Sequence, residues 1–316
     1  MGCAIRMGIA VYLGLSALLG ASGASAAGPV TFATGFNSPA GVAFDTAGNL
    51  YVANSGDNTV SKLPSTGGAA PTTPFADGFN SPRGLAFDVA GNLYVANYNS
   101  NTVSKVPPTG GTAPVTPFAT GLSTPSGLAF DNAGNLYVAN TGLGTVSKVP
   151  STGGSATTFA TGFSGPIGLA FDSSGNLYVA NALANSVSKV PPTGGVSPAT
   201  PFATGFNFPA GLAFDAAGNL FVANNGDNTI SKLPPTGGPA PVTPFASGLN
   251  SPYGLAFGST GDLYVTNNGD NTVVKVVTAN PPAPVPTLSE WALILLAVTL
   301  GSVSLIALRR RVGALI

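Results

Sequence analysis

The chain has 316 residues, of which 7% are charged, with 11 basic and 11 acidic side chains, whereas about a quarter of an ordinary soluble domain is charged. So little charge argues against a nucleic-acid-binding protein, which needs clustered Lys and Arg. The sequence contains no histidine, and its one cysteine is Cys3, so Ser/His and Cys/His catalytic pairs are excluded.

Residues 1–27 have the features of a secretory signal peptide. Arg6 precedes an apolar stretch over about residues 7–20, and the segment ends in Ala24, Ser25, Ala26 and Ala27. A transmembrane anchor is the alternative, but the apolar stretch is too short to span a bilayer. We expect residues 1–27 to be removed during export, together with Cys3.

Residues 28–277 contain six copies of one repeat. The stretch at residues 41–54 returns five more times with few changes. Its Ala-Phe pair recurs at steps of 41 or 43 residues, as Phe44, Phe87, Phe130, Phe171, Phe214 and Phe257. A period in the low forties with several short strands per unit is typical of β-propeller blades.

Each repeat is predicted to form four strands, which in the first repeat are residues 41–45, 50–53, 59–63 and 74–76. The Phe-Ala strand also occurs once before the first repeat, at Phe32, and does not recur after the last. Since a ring must avoid an open sheet edge, we predict that Val30–Thr34 pairs as the outer strand beside Thr272–Val276.

Three segments define the repeat: Pro-x-Gly-Leu-Ala-Phe-Asp, Gly-Asn-Leu-Tyr-Val-Ala-Asn and Gly-Asp-Asn-Thr-Val-Ser-Lys. Together they resemble the NHL repeat, and the resemblance implies an all-β fold, a six-bladed β-propeller of four-stranded blades.

Many NHL repeats have an arginine after the asparagine of the third segment. This chain has Thr59, Thr102, Thr145, Ser186, Thr229 and Thr272 there. The difference argues against the RNA binding known for some members.

After the repeats, residues 278–286 are Pro-rich and are predicted to form a stiff extended linker. Residues 286–316 begin with Pro286, Thr287, Leu288, Ser289, Glu290 and Trp291, and an apolar run over residues 292–308 leads to Arg309, Arg310 and Arg311. A helix over residues 291–308 would rise about 27 Å, close to the hydrocarbon thickness of a bilayer. The arginines would hold its end on the cytoplasmic side.

This tail resembles the IPTL-CTERM sorting signal, a relative of PEP-CTERM, with Val285 where isoleucine is usual. The resemblance implies a Gram-negative bacterial protein that is exported and held in the inner membrane on the periplasmic side. An exosortase-like transpeptidase would then cleave near residues 286–290 and release the protein to the cell surface or beyond. A permanent single-pass anchor is the alternative.

In a propeller, the loops before the first strand and between the second and third strands open on one face, where ligands usually bind. Here the residue between Pro and Gly varies among the repeats, as Ala40, Arg83, Ser126, Ile167, Ala210 and Tyr253. Arg83 is the only arginine of the repeats. We predict that Arg83, Tyr98 and Tyr253 form one patch that binds a carbohydrate or a peptide. In the alternative, Arg83 is a solvated loop residue.

Asp57, Asp227 and Asp270 occur in Gly-Asp-Asn loops of the same predicted face. Carboxylate and amide oxygens suit Ca²⁺, which is therefore the only cofactor that the sequence suggests. Alternatively, these side chains cap the backbone of their own turns. The sequence assigns no defined metal site and no catalytic residue.

An aspartate after the Ala-Phe pair and a lysine in the third strand recur once per repeat. The lysines are Lys62, Lys105, Lys148, Lys189, Lys232 and Lys275. In the sixth repeat Gly258 replaces the aspartate, and Asp262 takes the usual asparagine position. We expect a ring of structural ion pairs or half-buried lysine stems, with a basic ligand-binding ring as the alternative.

These features lead to the hypothesis of an exported, envelope- or surface-associated propeller that is a non-enzymatic binding module for a glycan or a protein. The alternative is a propeller hydrolase or lactonase that uses aspartates and a bound cation. Virginiamycin-type and peptidyl-amidoglycolate lyases also look similar to the array. That resemblance implies dependence on histidine, which this chain lacks.

Overall fold

The computed structural model describes residues 28–113, 116–196, 200–241 and 243–277. The predicted signal peptide, Pro-rich linker and sorting tail lie outside these ranges. The regular elements within them are β-strands arranged as six blades. No helix long and apolar enough to cross a membrane is found in this part of the chain.

Each blade contains three full strands in antiparallel order. The innermost strands are Pro39–Phe44, Pro82–Phe87, Pro125–Phe130, Pro166–Phe171, Pro209–Phe214 and Pro252–Phe257. The second strands are Leu50–Asn54, Leu93–Asn97, Leu136–Asn140, Leu177–Asn181, Leu220–Asn224 and Leu263–Asn267. The third strands are Thr59–Leu63, Thr102–Val106, Thr145–Val149, Ser186–Val190, Thr229–Leu233 and Thr272–Val276. Each innermost strand packs against the innermost strand of the next blade. The strand of the sixth blade packs against that of the first, which closes the ring.

The outer strands are shorter than the other three in most blades. In the first four blades they are Ala76–Asp77, Ala119–Thr120, Thr157–Thr161 and Ala203–Thr204. The fifth blade has a single bridge between Ile230 and Ala246. In the sixth blade, Val30–Thr34 pairs antiparallel with Thr272–Val276, which confirms the predicted closure by the N-terminal strand.

The blades also carry a fifth element that we did not predict. Five two-residue strands each run parallel to the outer strand of the preceding blade. They are Gly68–Ala69, Gly111–Thr112, Gly154–Ser155, Gly195–Val196 and Gly238–Pro239. Paired glycines at positive φ, such as Gly110 and Gly111, allow the backbone to form the turn that leads into each short strand. The element covers part of an otherwise open outer edge.

The hydrophobic core lies between neighbouring blades. All five residues of every second strand are buried, and the period of two sends alternate side chains to opposite neighbours. Leu93 and Val95 pack toward the first blade, whereas Tyr94 packs toward the third. Tyr94 also makes edge-to-face contacts with Phe118 and Phe130, at centroid distances of 4.8 and 5.0 Å.

The innermost strands approach one another closely at their glycines. A Cβ on Gly127 would overlap the carbonyl oxygen of Ile167 in the next blade. The other five blades repeat this contact, at Gly41, Gly84, Gly168, Gly211 and Gly254. Glycine is therefore required at this position for the ring to close at its observed diameter.

Candidate binding site at the upper face

Charged residues divide between the two faces of the ring. We call the face with the loops that follow the innermost strands the lower face, and the opposite one the upper face. On the lower face every lysine of the described residues pairs with an aspartate, at distances between 2.6 and 3.8 Å. In the sixth blade the partner of Lys275 is Asp262. The predicted ring of structural ion pairs is thereby confirmed.

The ion pairs are parts of larger hydrogen-bonded units, of which Asp88 is an example. Its carboxylate accepts bonds from the backbone and side chain of Asn92, both at 2.8 Å, and from the Tyr94 hydroxyl at 3.1 Å. Lys105 Nζ lies 3.4 Å from the carboxylate and 5.2 Å from the centroid of the Tyr94 ring. The Asp88 carboxylate is thus surrounded by donors from its own blade. We infer that this unit stabilises the fold.

These contacts predict a loss of stability in acid. Partial burial raises the pKa of Asp88, but the hydrogen bonds from Asn92 and Tyr94 and the charge of Lys105 outweigh it and hold the pKa below 3.8. A pKa lowered by folding stabilises the protein above the unfolded-state value, and this contribution disappears as the pH falls through the folded-state value. We therefore expect the melting temperature to fall below about pH 4. Asp88→Asn should flatten this decline in a pH series of melting curves.

Asp77→Asn is the matched control, because Asp77 is exposed and belongs to none of the six ion pairs. Its acid decline should equal that of the wild type. Identical declines in the Asp88 variant and the wild type would contradict the assigned role of the carboxylate.

The upper face carries the charges that have no ion-pair partner among the described residues. They are Asp57, Asp77, Asp227, Asp270 and Arg83. The four aspartates belong to the fifth, sixth and first blades, which are neighbours in the ring. This face is therefore acidic on one side and has one cation.

The Gly-Asp-Asn aspartates bond within their own loops. Thr59, Thr229 and Thr272 donate hydroxyl hydrogen bonds of 2.7 Å to Asp57, Asp227 and Asp270 respectively. Within the described ranges, no group of three or more His, Cys, Asp or Glu residues is arranged to hold a metal ion. Each of these carboxylates therefore accepts a bond from a threonine side chain two residues later in its own loop.

Asparagines in the loops between the second and third strands join neighbouring blades on the upper face. Asn58 lies at a φ of 61°, and its Oδ1 accepts a 2.7 Å bond from the backbone N–H of Ser81 in the next blade. Asn101, Asn185, Asn228 and Asn271 make the same contact. In the third blade, Gly144 stands at this position. These bonds fix the loops that surround the entrance to the central channel, which is the space enclosed by the six innermost strands.

The structure brings Arg83, Tyr98 and Tyr253 together at that entrance. The guanidinium carbon of Arg83 lies 3.4 Å from the centroid of the Tyr98 ring. Arg83 Nη1 donates a hydrogen bond of 3.3 Å to the hydroxyl of Tyr253, although the two residues are 170 positions apart in the sequence. The stacking on Tyr98 and the hydrogen bond to Tyr253 together fix the orientation of the guanidinium group.

Ser126 belongs to the same group, although a serine at this position gives no signal of a site in the sequence. Its hydroxyl lies 3.2 Å from the hydroxyl of Tyr253. A cavity of about 80 Å³ adjoins these residues and is lined by all six innermost strands. The side of Tyr253 packs against an apolar cluster of Ile167, Ala182 and Ala210.

A bulge explains why these side chains converge. In the second blade the strand register shifts by one residue between Pro82 and Leu85. Arg83 and Gly84 therefore lie together opposite a single residue of the second strand. The other five blades have the same irregularity. A bulge bends the strand and redirects a side chain. Each residue between Pro and Gly is thereby placed at the end of the channel.

Exposed apolar side chains mark the opposite side of the upper face. Leu143, Leu183 and Phe208 are 63%, 71% and 37% exposed. Phe208 has a φ of 50°, a strained value for a bulky residue, where other repeats have Ser, Thr or Gly. We did not predict a role for Phe208, although a bulky residue at a position of small residues is a signal in the sequence.

Comparisons with known proteins agree with this architecture. A model of the NHL repeat matches residues 36–63 and 79–106, and a model of the IPTL-CTERM motif matches residues 283–311. The chain thus carries NHL repeats, which form a six-bladed β-propeller, and an IPTL-CTERM motif. The motif indicates export to the cell surface and processing by an exosortase-like enzyme. No curated protein matches the sequence.

Solved structures with the same fold include enzymes of two kinds. A gluconolactonase from Xanthomonas campestris is 17% identical with a TM-score of 0.66, over 78% of this chain and 88% of that chain. Virginiamycin B lyase from Staphylococcus aureus is 14% identical with a TM-score of 0.58, over 79% of this chain and 98% of that chain. At these identities the similarity establishes the fold.

Proposed function

We propose that this exported propeller is a non-enzymatic binding module whose ligand, a glycan or a protein, docks on the upper face at Arg83, Tyr98 and Tyr253. The observation that carries the proposal is the segregation of charge. All lysines of the described residues are neutralised on the lower face, whereas one arginine and four aspartates remain unpaired on the upper face. Unpaired charge beside stacked aromatic rings is a common recognition surface.

The path of the chain supports use of the upper face. Val30 pairs with Lys275, so the first strand begins, and the third strand of the sixth blade ends, on the lower face. We propose that the Sec machinery exports the protein, and that residues 291–308 hold it in the inner membrane before processing. The tail then leaves from the lower face, and the upper face stays free for a partner.

The hydrolase or lactonase alternative draws on the fold shared with the gluconolactonase. Among the described residues, however, the cavity lining includes no aspartate or glutamate, whereas the alternative relies on aspartates around a cation. An inactive form of the staphylococcal lyase has alanine in place of a histidine, and this chain contains no histidine. We therefore favour the binding module.

A ligand screen by thermal shift tests the proposal, because a ligand that binds the native ring raises its melting temperature. The full-length protein in detergent is screened against glycans, short peptides and Ca²⁺. We expect one class of glycan or peptide to raise the melting temperature, and Arg83→Ala and Tyr253→Ala to abolish the shift.

Val89→Ala is the matched control, because Val89 is a fully exposed residue of a lower-face loop, and it should keep the shift. A ligand shift that survives in both upper-face variants would contradict the proposed site. A shift with Ca²⁺ alone would favour the enzyme alternative.

A further inference from the structure

The strongest unexplained feature of the upper face is Arg83, which has no carboxylate partner among the described residues. A guanidinium presents a rigid fork of N–H donors that matches a carboxylate in a bidentate manner. Tyr98 covers one face of the guanidinium at 3.4 Å, and such stacking leaves the edge with its donors available. The only hydrogen bond from this guanidinium within the described ranges goes to Tyr253.

Further donors lie around the same space. The hydroxyls of Tyr253 and Ser126 are 3.2 Å apart, and one of the two still has a proton to donate after they bond to each other. The adjoining cavity of about 80 Å³ corresponds to the volume of about three water molecules in the liquid. A carboxylate with a small apolar substituent fits this volume, and Ile167 and Ala210 provide an apolar wall.

The surroundings limit what else such a ligand carries. Asp57, Asp77, Asp227 and Asp270 make one side of the face acidic, and like charges repel a polyanion such as a polyuronate. A ligand with one carboxylate and additional basic groups complements both features. Leu143, Leu183 and Phe208 offer contacts for apolar side chains on the other side.

We propose that Arg83, Tyr253 and Ser126 bind the C-terminal carboxylate of a polypeptide whose last residues are basic and apolar. The inference rests on the proposed function and specifies its ligand. A chain terminus supplies one carboxylate at the end of a flexible segment, and the residues before it reach the acidic and apolar sides of the face. Binding then depends on the free terminus and on ionic strength.

The test is an array of octapeptides of Lys, Leu, Ser and Ala, attached through their N-termini and ending in either a free carboxylate or a carboxamide. Full-length protein in detergent is applied as wild type, Arg83→Ala, Arg83→Lys and Val89→Ala. We expect the free carboxylate to bind at least about tenfold more tightly than the carboxamide, as for hydrogen bonds to a charged group. Arg83→Ala should remove this preference, Arg83→Lys should retain only part of it, and Val89→Ala should keep it.

The outcomes separate this inference from the proposed function. Equal binding of both peptide forms that is lost in Arg83→Ala would overturn the carboxylate site and leave the upper-face module standing. Binding that is unaffected by Arg83→Ala would overturn both. Failure of every peptide to bind, or tighter binding of oligogalacturonate than of the peptides, would overturn the inference, and the glycan screen would then decide the proposed function.

Discussion

A form of the protein that begins at Gly35 is expected to lose roughly 5 kcal/mol or more of stability relative to one that begins at Val30. The missing strand contributes the pairing with Thr272–Val276, the buried side chain of Ala33, and the edge-to-face contact of Phe32 with Tyr264 at 4.8 Å. For a ring of this size, the melting temperature should fall by roughly 10 to 20 °C.

The exposed third strand of the sixth blade should also promote association between molecules, since an unpaired edge is a template for another strand. Melting curves and light scattering of the two truncated forms measure both effects. The form that begins at Val30 is the control for removal of Gly28 and Pro29. Equal melting temperatures and equal scattering would refute closure of the ring by this strand.

Gly127→Ala is expected to destabilise the ring by about 3 kcal/mol. The new Cβ would overlap the carbonyl oxygen of Ile167. That atom belongs to the backbone of the next blade, so a change of side-chain rotamer does not relieve the clash. A loss of this size lowers the melting temperature by roughly 10 °C.

Gly28→Ala serves as the control, because a Cβ at Gly28 meets nothing within 4 Å. Chemical unfolding of the two variants gives the comparison directly. Equal free energies of unfolding would show that the innermost strands separate easily, which would contradict a ring held together by glycine contacts.

Much of the fold could be predicted because the repeat displays its structure six times. The offset of the Phe-Ala strand, present at Phe32 and not repeated after the last blade, predicted the closing strand. The lysines and aspartates predicted the lower-face ion pairs, because a residue pair that recurs once per blade is typical of a structural role.

The innermost strands begin two residues earlier than predicted, at Pro39 in the first blade, because Pro39 still pairs with Asn54 beyond the bulge.

The missed elements have weak sequence patterns. A parallel strand of two residues, such as Gly111–Thr112, contributes too few side chains to produce a periodic signal. Its partner is the outer strand of the preceding blade, a contact that no local pattern encodes. The sequence therefore predicts a loop at each of these five short strands.

The candidate site was only partly predictable for a geometric reason. Arg83 and Tyr253 stood out as unusual residues at equivalent positions, and their loops were expected on one face. Their direct contact, and the role of Ser126 from a third blade, depend on the diameter of the ring and on the bulges. Those follow from packing between blades, which one repeat alone does not reveal.

Hydrogen–deuterium exchange with the ligand recovered from the screen tests most directly whether binding uses the upper face. We predict slower exchange in residues 98–101 and 251–254, which surround Arg83, and unchanged exchange in the lower-face loops at residues 45–49 and 88–92. Protection confined to those lower-face loops, with the entrance to the channel unaffected, would contradict a binding site at Arg83, Tyr98 and Tyr253.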